Sequence, residues 1–108
     1  MSAADRDRLE AAIVDAGAVD YLDFWFITRL AQSEIGPRPQ EEIREVALQA
    51  IHHLLSSGAL RAGDLEPPGE FVPWSEDPAK SFDRIQARVR GLDRDLQVGD
   101  VAWFEVPA

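Results

Sequence analysis

The stretch Pro39–Ser57, PQEEIREVALQAIHHLLSS, decides the class of fold. Ile43, Val46, Ala47, Ala50, Ile51, Leu54 and Leu55 recur at spacings of three and four, which gathers them on one stripe of a helix. Pro39 stands at the first position, where a helix tolerates proline. Glu41, Glu42 and Glu45 lie by the positive end of the helix dipole, His52 and His53 by the negative end, and Gly58 follows as a stop. A stripe this wide needs other elements to cover it.

Upstream, Leu9, Ala12, Ile13 and Ala16 predict a first helix from Ser2 to Ala16, with Ser2 as its cap and Gly17 as the left-handed residue that ends it. Asp20 is expected to cap a second helix, roughly Tyr21–Glu34, stopped by Gly36-Pro37. Downstream, Ala59–Leu65 contains a Gly63-Asp64 turn signal and reads as a short strand or extended edge, Glu66-Pro67-Pro68-Gly69 as a loop, and Phe71–Trp74 as extended. Asp77-Pro78 opens a fourth helix with Phe82, Ile85 and Val89 on its core face and Gly91 as its stop. Asp100–Val106 is apolar on both faces except at Glu105 and reads as a covered strand able to pair with the earlier extended segments. The expected fold is α+β and mostly helical, with about four helices and a two- to three-stranded β element. A faint echo pairs Gly58 and Gly63-Asp64 with Gly91 and Gly99-Asp100 as two helix, glycine, strand units, although turn chemistry alone generates such repeats.

A chain of 108 residues fits one domain, residues 1–108. Twenty acidic against eleven basic side chains give a formal charge of -9, which repels phosphate backbones and anionic membranes. No cysteine occurs, so disulfides, zinc–thiolate sites and thiol nucleophiles are excluded. The first twenty residues lack the apolar run of a secretory signal, and a cytoplasmic location is expected. Asparagine is absent and threonine occurs once, as in proteins of high-GC bacteria.

Three features could carry function. Phe24-Trp25-Phe26 are consecutive on the second helix, and successive helical residues point about 100° apart, so one face cannot bury all three. One stripe holds Leu22, Phe26 and Leu30, a second Phe24, Ile27, Ala31 and Ile35, with Tyr21 and Trp25 to one side. Either the helix is sandwiched between two layers, or one stripe is an exposed interface. On the fourth helix Lys80, Arg84 and Arg88 form the one basic stripe of an acidic chain, either paired internally or simply solvated, or else open to an acidic partner or phosphate. Trp74 and Trp103 lie in extended segments, where they line a groove or close a small core. The candidate interface therefore comprises Tyr21, Phe24, Trp25, Trp74, Lys80, Arg84, Arg88 and Trp103.

Catalytic and metal-binding patterns are missing. His52 and His53 point in different directions and have no acid within helical reach, so the dipole role is favoured and His53 as a catalytic base is the alternative. Asp93-Arg94-Asp95 lacks the glycine and the glutamate of a calcium loop. No cofactor is expected.

The third helix followed by Ala59–Leu65 resembles the recognition helix and wing of winged-helix proteins, which would imply DNA binding. The acidic leading turn of that helix argues against phosphate contact. Gly69–Trp74 and Gly99–Phe104 resemble segments of small uncharacterised bacterial single-domain proteins, a resemblance that implies a stand-alone domain and carries no activity with it. The expected function is a non-enzymatic protein-binding or regulatory module, docking on a basic partner as immunity proteins do or associating with itself. A small enzyme or ligand binder using His53 and the acidic, tryptophan-bearing loop is the alternative.

Overall fold

The computed structural model describes residues 3–107. It contains helices α1 (Ala3–Gly17), α2 (Phe24–Ile35), α3 (Gln40–Ser57) and α4 (Pro78–Arg90), and strands β1 (Leu22–Asp23), β2 (Arg61–Glu66), β3 (Glu70–Pro73) and β4 (Trp103–Glu105). The α+β, mostly helical class read from the sequence holds. The cap expected of Ser2 lies outside the described residues.

All seven residues of the α3 stripe are buried, and so is Leu48. Helices α1 and α2 cover one flank of α3 while α4 packs on the other, which takes Leu48 out of solvent beside Val89 and Leu92. Asp77 caps α4 as expected, its side chain accepting from the Lys80 N–H at 2.9 Å, with Pro78 at the first helical position. The core joins these helices to the sheet through Leu9, Ile13, Ile27, Ile51, Leu60, Ile85, Val101 and Phe104.

Helix α2 begins later than the sequence predicts. Leu22 and Asp23 form strand β1, paired antiparallel with Phe104 and Trp103, so helical geometry cannot start before Phe24. The cap is Asp23 rather than Asp20: Asp23 Oδ1 accepts from the Phe26 N–H at 3.1 Å, whereas the Asp20 carboxylate accepts from its neighbour Tyr21 N–H at 2.7 Å.

The sheet has four antiparallel strands in the order β1-β4-β2-β3. β2 and β3 form a hairpin through Glu66–Glu70, and β4 inserts between β1 and β2. β4 is shorter than expected, because Asp100 turns back on Gln97, its N–H donating to the Gln97 carbonyl at 3.2 Å.

Two glycines act through space rather than through left-handed backbone. Gly17 stays within α1, where a Cβ would run into the Val106 side chain. Gly63 lies inside β2, not in a turn, and a Cβ there would meet the Val72 carbonyl oxygen, with Pro73 Cα at 2.9 Å. Gly99, its supposed repeat partner, sits in a turn at φ 82°. The two Gly-Asp pairs thus occupy different structures, and the apparent repeat is turn chemistry and close packing.

Candidate interaction surface

The three consecutive aromatics of α2 divide between core and surface. Phe24 is 1% exposed and packs with Ile27 and Ala31, so it belongs to the core and leaves the candidate interface. Phe26 faces outward at 37% exposure, and Trp25 is half-buried between them with the Arg29 guanidinium 5.4 Å from its ring centroid.

Phe26 and Tyr21 line an open groove of about 520 Å³ together with Ala16, Val19, Asp20, Leu22, Trp25 and Val98, with Asp23 at its floor. Val19 is 88% and Val98 60% exposed. Of the five large hydrophobic side chains that the described residues leave exposed, four border this groove: Val19, Tyr21, Phe26 and Val98. Scattered apolar side chains are ordinary on a surface, whereas a cluster marks an interaction site. Asp23, buried at the floor, supplies the rigidity. One carboxylate oxygen caps α2 and the other accepts from the Gly99 N–H at 2.7 Å, which holds the Val98 turn beside the start of the helix. Tyr21 is fixed from the other side by stacking on Phe71, centroids 5.3 Å apart.

The remaining candidates lie elsewhere. Arg84 pairs with Glu76 at 3.1 Å and lies 4.2 Å from the Trp74 ring centroid. Arg88 lies 5.3 Å from the same ring and donates to the Val101 carbonyl at 2.7 Å. The indole N–H of Trp74 donates to Asp64 at 3.1 Å. Two of the three cations of the α4 stripe are thereby held by their own fold, which is the internal-pairing reading. Lys80 is exposed. Trp103 is half-buried in β4, opposite Gly63 and Asp23.

His53 has a carboxylate after all, from a different helix. Its Nδ1 meets Glu10 Oε1 of α1, and Glu10 Oε2 lies 3.1 Å from Arg6 Nε. No spacing within α3 could announce a partner 43 residues away. His52 stacks on Phe82 at 4.4 Å. In the loop before β4, Arg94 grips Asp100 through two hydrogen bonds of 2.8 and 3.0 Å, and the Gln97 N–H adds a third at 2.7 Å. The Arg94 hydrogen bonds, with help from Gln97, hold the Asp100 carboxyl below the usual aspartate range, and Asp100 raises Arg94 in return. Among the described residues no group of three or more acidic or histidine side chains is placed to hold a metal ion. Among the described residues no helix is long and apolar enough to cross a membrane.

Comparison with known proteins adds no relative: no protein-family model matches the chain, and neither a curated protein nor a solved structure matches it.

Proposed function

We propose that the protein is a non-enzymatic binding module that docks on a basic partner protein through the groove of Val19, Tyr21, Trp25, Phe26 and Val98. The observation that carries this reading is the convergence of four of the five exposed large hydrophobics on one groove. Charge complementarity selects the partner. Outside α4 the chain has nineteen acidic and seven basic side chains, and Asp20 borders the groove itself. Such a surface steers a cationic protein toward it and repels nucleic acid.

Two further observations favour this reading over its competitors. The positions that would face DNA in a winged-helix arrangement carry exposed carboxylates: Glu41, Glu42 and Glu45 on α3, Glu66 and Glu70 at the hairpin tip. The His53 ring is 57% exposed and borders neither this groove nor the hollow beside Trp25 between α2 and α3, so the pair with Glu10 has no adjoining cavity in either to hold a substrate. A cysteine-free acidic chain suits the bacterial cytoplasm, where we place it.

Affinity capture from the source cell with the wild-type chain and with the Val19→Asp/Val98→Asp variant tests the proposal. The wild type should retain one basic protein at stoichiometric amounts, released by salt, and the folded variant should lose it. Equal capture by both would remove the groove from the function. A wild-type dimer that the variant dissolves, seen by native mass spectrometry, would replace the basic partner with a second copy.

A further inference from the structure

Of the ten arginines in the chain, eight find a carboxylate within ion-pair distance or a carbonyl acceptor within the fold. Arg29 of α2 and Arg44 of α3 are the exceptions among the described residues, having neither a carboxylate nor a carbonyl oxygen. The chain carries twenty acidic side chains, and these two arginines form an ion pair with none of those described. The Nε of Arg44 is buried without an acceptor, a state that costs stability unless something outside the chain satisfies it.

Both arginines border one hollow of about 290 Å³ between α2 and α3, where Trp25, Thr28, Gln32 and Gln40 also line the wall. Asp95 and Leu96 complete the rim. Arg29 stacks over Trp25, which restrains its guanidinium before any ligand arrives.

We propose that this hollow binds a small organic carboxylate. Two guanidinium groups offer forked donors that match a carboxylate, and the amides of Gln32 and Gln40 add neutral donors beside them. The single negative charge of Asp95 at the rim opposes a second anionic charge, which disfavours a phosphate dianion and favours a monocarboxylate head. Asp95 can also accept from a hydroxyl or ammonium group on the ligand. A volume at the lower end of ligand pockets restricts the occupant to a metabolite of a few carbons. The choice of a carboxylate does not rest on the protein-docking groove, although the two sites adjoin at Trp25, which borders both.

Nitrogen–proton correlation spectra of the whole chain, recorded at constant ionic strength with added acetate, lactate or inorganic phosphate, test the assignment. The Arg44 Nε–H and Trp25 indole signals should shift and saturate with the carboxylates. Arg44→Gln should weaken binding about tenfold or more, as expected for a lost charge-assisted hydrogen bond, while Arg38→Gln, outside the hollow, should leave it unchanged. Should Arg44→Gln fail to fold, Arg29→Gln, on the exposed rim, provides the same comparison. Absence of saturable shifts, or equal shifts in the wild type and the folded arginine variant, would overturn the proposal. Phosphate binding as tight as that of the carboxylates would overturn the choice of ligand.

Discussion

Asp23 and Gly99, separated by 76 residues, are joined by one hydrogen bond from the Gly99 N–H to Asp23 Oδ2 at 2.7 Å. The other oxygen of the same carboxylate caps α2. Asp23→Ala should therefore remove two restraints at once, costing about 2 kcal/mol in urea unfolding from the lost cap and the lost long-range bond together. Asp20→Ala, which disturbs only a contact with the adjacent residue, should cost less than about 0.5 kcal/mol. Equal losses at the two sites would return the cap to Asp20.

Phe24 and Val19 test the division between core and groove. Phe24→Ala should destabilise by about 3–5 kcal/mol, because it opens a cavity beside Ile27 and Ala31. Val19→Asp, at a side chain 88% exposed, should leave the unfolding midpoint within experimental error. Thermal melts followed by circular dichroism distinguish the two.

For Gly17 the sign of the expected change runs against helix propensity. Alanine is the better helix former by about 1 kcal/mol, yet the added Cβ collides with Val106 and Gly17→Ala should be net destabilising, by about 1 kcal/mol or more. In a Val106→Ala background only the Cβ contact at 3.3 Å is left, and the same substitution should cost clearly less. The double-mutant cycle measures the difference, and additivity would show that the two residues do not meet.

The α4 cations should separate into structural and solvated ones. Arg88→Ala removes the donor to the Val101 carbonyl and one cation over Trp74, at an expected cost of about 1–3 kcal/mol. Lys80→Ala, at an exposed position, should be silent in the same denaturant titration.

Asp100 makes stability sensitive to acid. Its folded-state pKa is lowered, so the Arg94–Asp100 interaction contributes fully above the ordinary aspartate value and is lost as the pH falls through the depressed folded value. The Gln97 amide, which donates to that carboxylate, should titrate with a midpoint below that of an unperturbed aspartate. Asp100→Asn should abolish the transition, and a midpoint at the ordinary value would show that the Arg94 contact does not persist in solution.

Much of this architecture was legible in the sequence because it rests on local chemistry. The α3 stripe, the Asp77-Pro78 start of α4 and the extended segments around the Glu66–Glu70 loop follow from periodicity and capping, and the structure places them within a few residues. What the sequence concealed is contact between distant segments. β1 has only two residues and no pattern of its own, and it exists because β4 lies beside it. Without β1, Tyr21 and Leu22 read naturally as helix, and Asp20 as its cap. Val19 and Val98 sit singly in polar loops, so no periodicity links them across the groove. The α4 stripe is visible in the spacing of its cations, but spacing does not show whether a cation is already paired. The pairing partners, Glu76 and the Val101 carbonyl, come from segments on either side of α4. The same blindness hid Arg29 and Arg44, which look unremarkable on their own helices and converge only when α2 packs on α3.

Strand β4, last in chain order, occupies an interior place in the sheet between β1 and β2. During translation, β1 and the β2–β3 hairpin therefore emerge from the ribosome with a gap between them that residues 103–105 alone can fill. The helices can assemble early, but the sheet closes only after synthesis has passed Glu105. Until then the inner edge of β2 and the Leu22–Asp23 segment lack their partner, and ribosome-bound intermediates stalled before that point should be readily digested by protease.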